Sequence, residues 1–71
     1  MESKREKFVR LAETRTNKII DMIRLLGNCA NKANYDYSEA DVQKIFSAIE
    51  KEIKTAKTKF FINEVEDKFK L

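Results

Sequence analysis

An all-α fold is predicted for this chain by three observations. It has no proline and one glycine, its apolar residues recur in steps of three and four, and a helix-start signal stands ahead of each of two long periodic stretches. The expected architecture is an antiparallel helical hairpin, helix 1 at about 4–31 and helix 2 at about 39–60, with a C-terminal helical extension. At 71 residues the chain reads as a single helical domain, residues 1–71. A domain of this size buries only about 60% of the surface its unfolded form exposes. Small domains offset the deficit with disulfides, metals or partner chains. One cysteine excludes an intrachain disulfide, and without histidine neither a metal site nor any other cofactor is expected. Partner chains remain.

Helix 1 opens on Ser3-Lys4-Arg5-Glu6, a Ser-x-x-Glu capping box in which hydroxyl and carboxylate satisfy each other's backbone N–H. Val9, Ala12, Thr16, Ile19, Ile23, Leu26 and Ala30 then alternate steps of three and four, the heptad seam of a helix packed along its length. Gly27 suits a helix stop. The seam reaches Ala30, however, so helix 1 is expected to run to about Asn31.

Helix 2 starts at Ser38-Glu39-Ala40-Asp41, an N-cap serine with an acidic first turn that suits the positive end of the helix dipole. Tyr37 and Val42 occupy the two positions of a hydrophobic staple. The stripe Val42, Phe46, Ile49, Ile53, Ala56 and Phe60 follows, and then jumps phase to Ile62, Val65 and Phe69. Such a shift marks a kink, a short separate helix or a change of packing partner. Lys32-Ala33-Asn34-Tyr35-Asp36 between the helices has the length that joins antiparallel neighbours.

The apolar residues exceed what one seam covers. Ile19-Ile20-Asp21-Met22-Ile23-Arg24-Leu25-Leu26 is apolar at six of eight positions. Ordering the chain costs on the order of 100 kcal/mol of conformational entropy, which one two-helix seam offsets poorly. A homo-oligomeric bundle is therefore expected, with Ile20, Met22, Leu25, Ile45, Phe61, Ile62, Val65 and Phe69 at its interface. The competing arrangement folds residues 61–70 back as a third helix of a monomer.

Charge is unevenly spread. Residues 1–31 hold seven Lys/Arg against four acids, net +3, whereas residues 32–71 are balanced at eight against eight. All four arginines, Arg5, Arg10, Arg15 and Arg24, lie in the first part, and guanidinium groups grip phosphate and carboxylate through paired hydrogen bonds. No apolar run approaches the ~20 residues of a membrane span, so no membrane partner is expected. No signal peptide is apparent, and the lone Cys29 fits a reducing compartment; a soluble, cytoplasmic protein is expected.

Catalysis is not expected. No nucleophile–histidine pair and no glycine-rich phosphate loop is possible with these residues, and Cys29, behind an apolar segment, reads as a small packing residue. Binding is better supported. Arg10, Thr14, Asn17, Asp21, Arg24, Asn28 and Asn31 recur on one face of helix 1. Asparagine is a poor helix former, so its repetition on a face points to hydrogen-bonding duty, although Asn28 and Asn31 also suit a helix end. Lys32, Asn34, Tyr35 and Tyr37 add basic, amide and stacking groups of the kind that hold a phosphate or a base. The candidate ligand-binding set is Arg10, Arg15, Asn17, Arg24, Asn28, Asn31, Lys32 and Tyr35. In a second basic cluster, Lys51, Lys54, Lys57 and Lys59, a hairpin turning near residue 34 would set Lys54 and Lys59 near Arg15 and Arg10, or the cluster would pair with Glu13 and Glu50.

The stretch from Arg24-Leu25-Leu26-Gly27-Asn28 through Asn34-Tyr35-Asp36-Tyr37-Ser38 to Ile45-Phe46 resembles a type of short helical protein of phages and bacterial mobile elements, in which Arg-Leu-x-Gly-Asn, Asn-Tyr-x-Tyr-Ser/Thr and Ile-Phe recur. The resemblance covers roughly residues 8–56. It implies a helical hairpin in the cytoplasm of a bacterial host. Phage proteins of this size often act by stoichiometric binding, blocking a host protein or sequestering the nucleotide signals of antiviral defence. Three functions follow as expectations: an oligomer holding an anionic nucleotide or nucleic acid, a protein-interaction module inhibiting a host factor, and a DNA-binding accessory protein. The balanced charge of residues 32–71 disfavours the last.

Overall fold

The computed structural model describes residues 1–67, with side chains described for residues 1–61. The regular secondary structure of these residues is entirely helical, with no strand among them. It divides into two units, Met1–Asp36 carrying helix α1 (Lys4–Gly27) and Tyr37–Leu71 carrying helix α2 (Glu39–Asp67).

The expected capping box starts α1. The Glu6 backbone N–H donates to Ser3 Oγ at 3.0 Å, and the Ser3 N–H donates to Glu6 Oε1 at 3.2 Å. Both hydrogen bonds favour the ionised carboxylate, so the Glu6 pKa lies below its ordinary value. Glu6 near the start and Arg24 in the last turn each complement the helix dipole.

The far end of α1 differs from expectation. The helix stops at Gly27 with Asn28 as its C-cap, four residues short of Asn31. Glycine is the weakest helix former after proline, and the two asparagines beyond it offer the backbone other partners. The Cys29 N–H donates to Leu26 O and the Ala30 N–H to Gly27 O, both at 3.0 Å, the tighter i→i−3 pattern of a closing turn. Asn31 then organises the connection. Its Oδ1 accepts the Ala33 N–H at 3.0 Å, and its carbonyl accepts the N–H groups of Asn34 and Tyr35. Gly27 does not take a left-handed conformation, so its role is that of a weak last helical residue and not a C′ glycine.

In the second unit Asp41 reciprocates the Ser38 cap. The Asp41 N–H donates to Ser38 Oγ at 3.2 Å while the Ser38 N–H donates to Asp41 Oδ2 at 2.9 Å, a capping box with aspartate in the glutamate position. Tyr37 and Val42, the two staple positions, are both half-buried although the rest of the first turn is exposed. Beyond residue 60, where the stripe changes phase, α2 continues without interruption to Asp67, so the expected boundary near 60 is corrected to a single 29-residue helix. Residues 68–70 of the folded-back third helix, and Phe69, lie outside the described residues.

No residue of α1 is buried, and none is buried among the described side chains of α2. Val9, Leu11, Ala12 and Leu26 on α1, and Val42 and Ile49 on α2, are half-buried by their helical neighbours. Ile19, Met22 and Leu25 are each more than half exposed. Amphipathic helices are stabilised mainly by covering the apolar face, and the described part of each stripe is exposed or half-buried.

Candidate functional site

The polar residues proposed for ligand binding fall into three groups. On α1, Arg10, Asn17 and Arg24 repeat every seven residues, so they lie in one line with about 10 Å between successive members. The side chains of Asn17 and Arg24 make no hydrogen bond or ion pair among the described residues. Arg10 is engaged. Its Nε and Nη2 donate to the two carboxylate oxygens of Glu2, at 2.7 and 3.0 Å, in a fork-to-fork pair that raises the Arg10 pKa. Glu2 precedes the helix and carried no periodic signal, so the sequence did not reveal this pairing. Thr14, on the same face, turns its hydroxyl back to the Arg10 carbonyl at 2.9 Å.

Arg15 stands elsewhere. Two residues apart on a helix point about 160° apart, which sets Arg15 on the opposite side of α1 from Asn17. There it lies one turn from Leu11 and one turn from Ile19, inside the apolar face. The loop residues form the third group. Asn28 is the C-cap and Asn31 holds the turn, so both have structural duties. Lys32 is engaged in an interaction of its own and Tyr35 is about half exposed. Thus the structure aligns Arg10, Asn17 and Arg24, detaches Arg15 from them, and commits Arg10 and Asn31 to neighbours within the chain.

The expected interface residues Ile20, Met22, Leu25, Ile45 and Phe61 are all exposed. Ile62 and Val65 lie on the α2 backbone, but their side chains are outside the described residues. On α1 the apolar surface is wide, with Met22 and Leu25 on one flank of the Ile19/Ile23/Leu26 line and Ile20 on the other. At its N-terminal end the guanidinium of Arg5 sits 6.0 Å from the Phe8 ring centroid. On α2 the stripe is narrow and unbroken by charge from Val42 to Phe60. Beside it Glu50, Ile53, Lys54, Lys57, Thr58 and Phe61 line a shallow groove, in which two lysines of the expected basic cluster flank a carboxylate.

Charge distinguishes the two helices. α1 carries seven basic and three acidic residues, net +4, whereas α2 carries five and seven, net −2. Among the described residues no group of three or more metal-ligating side chains comes together, and no helix is long and apolar enough to cross a membrane. Comparison with family models, with curated protein sequences and with solved structures gives no match for this chain.

Proposed function

We propose that this chain is a helical association protein that assembles with copies of itself through its apolar stripes and acts by stoichiometric binding, in the manner of an interaction module directed at a host factor. The observation that supports this reading is the exposure of an apolar face along both helices, at residues such as Ile19, Met22, Leu25 and Ile53. Contiguous surface of this kind is covered by association in proteins too small to cover it themselves. Within the assembly, the connection at residues 28–38 has the length to let each chain double back as an antiparallel hairpin. The resemblance of residues 8–56 to short phage and mobile-element proteins fits the same stoichiometric mode of action.

A second reading, an oligomer that holds a nucleotide or nucleic acid, is favoured by the aligned Asn17 and Arg24 on a helix of net +4. It asks more of the chain, because Arg10 would have to exchange Glu2 for the ligand and Arg15 would have to belong to another site. The test is the mass in solution of the purified protein with and without a panel of nucleotides. Assembly into multiples of 8.4 kDa without any nucleotide is expected. A single-chain mass that rises only when a nucleotide is added would overturn the first reading in favour of the second.

A further inference from the structure

We infer that α2 is the self-association element and that it pairs antiparallel with α2 of a second copy, about a two-fold axis passing between Lys54 and Thr55. The inference rests on the self-association reading and assigns it one surface and one register. Its basis is the charge that borders the α2 stripe. Read as a heptad seam, the stripe has Phe46, Ile53 and Phe60 at one core position and Val42, Ile49 and Ala56 at the other. Glu52 and Lys59 sit immediately before Ile53 and Phe60 and form one border. Glu50 and Lys57 sit immediately after Ile49 and Ala56 and form the other. Each border therefore carries an acid followed seven residues later by a lysine.

Two such helices run antiparallel are self-complementary. When Ile53 faces the second copy's Ala56, Ile49 faces its Phe60. In that register Glu52 lies on the same side of the seam as the second copy's Lys59, within about 3 Å of level, and Glu50 likewise with its Lys57. The two-fold axis repeats both pairs, giving four oppositely charged pairs along the seam. None of the four side chains is engaged in an ion pair or hydrogen bond among the described residues. The two inner layers agree, since Ile53 faces Ala56 and Ile49 faces Phe60, while farther out Phe46 and Val42 come level with Asn63 and Asp67 of the second copy. An in-register parallel pair would instead stack Phe46 on Phe46 and leave Ala56 against Ala56. The groove lined by Glu50, Ile53, Lys57 and Phe61 runs beside this seam and offers room for the second copy's border side chains.

α1 lacks this property. Its borders carry Arg15 on one side and Glu6 and Glu13 on the other, so antiparallel α1 pairs bring no opposite charges level, and a net charge of +4 opposes self-pairing. The wide face of α1 is thereby left for other neighbours in the assembly.

Charge exchange and cross-linking test the register, both on the full chain and with helicity followed alongside. Lys57→Glu/Lys59→Glu makes all four border positions acidic, and Glu50→Lys/Glu52→Lys makes them basic. Each variant alone is expected to associate at least roughly tenfold more weakly than the natural chain, and an equimolar mixture to recover association. For orientation, Ile49→Cys and Phe60→Cys are each placed in a Cys29→Ser background. Antiparallel pairing yields a disulfide between the two variants when mixed, and none within either alone, since like positions lie about 16 Å apart along the axis. Self-linking of each variant, or association indifferent to charge exchange in a protein that still assembles, overturns the register and leaves self-association standing. A natural chain that stays a single copy at high concentration overturns the association reading itself.

Discussion

Replacing Ile53 by alanine removes a side chain from the middle of the α2 stripe while leaving every charge in place. Ile53 is 48% exposed on its own helix, so about half of its surface remains to be covered by a partner. The substitution deletes roughly three methylene equivalents, each worth about 0.8 kcal/mol on full burial, which makes about 1.2 kcal/mol per copy at half coverage. A symmetric pair loses this twice, so its dissociation constant is expected to rise roughly fiftyfold. Alanine is the stronger helix former, which means that any loss of helicity comes from lost association and not from the replacement itself. Sedimentation equilibrium over a range of concentrations gives the constant for both proteins. A change of less than threefold, with assembly otherwise intact, would refute the placement of Ile53 in an apolar contact between chains.

Gly27→Ala should lengthen and stabilise α1 by about 0.8–1.0 kcal/mol, since an added Cβ meets nothing within 4 Å and the backbone there is not left-handed; circular dichroism and the melting temperature report it, and an unchanged melt would contradict it. Ser38→Ala should cost about 1 kcal/mol by removing the acceptor of the Asp41 N–H, visible as faster amide exchange at Asp41. The Glu6 box should follow pH in one direction: the hydrogen bonds from Ser3 lower its pKa, so the contribution is complete above about pH 4.3 and is lost as the pH falls through the lowered value. A carboxyl titration by NMR checks this, and Ser3→Ala should return the Glu6 pKa toward the ordinary range.

Much of the helical content is legible in the residues themselves. Ser3 with Glu6, and Ser38 with the acids after it, announce both helix starts, because a capping side chain acts on backbone only three residues away. The end of α1 is less legible, since two signals compete there. The seam argues for continuation to Ala30, but Gly27 and the side chain of Asn31 favour a stop, and in α1 the local terms prevail at an end where Gly27 and Asn28 are exposed. The phase shift after Phe60 reads as a break in sequence, yet backbone hydrogen bonding carries α2 past it, because a change of stripe moves side chains around the helix without removing any peptide donor. The candidate site is only partly legible. Periodicity aligns Arg10, Asn17 and Arg24 correctly, but it is blind to the pairing of Arg10 with Glu2, which lies outside the helix, and a list of basic residues conceals that Arg15 points away from the others.

The central proposition is that association supplies the cover these helices lack. A dilution series from about 100 μM to about 1 μM, with mass and helicity measured on the same samples, tests it most directly, since populations linked by assembly shift with concentration. Mass and helicity are expected to fall together on dilution and to recover together on concentration. Full helicity at a constant single-chain mass of 8.4 kDa across the series would contradict it.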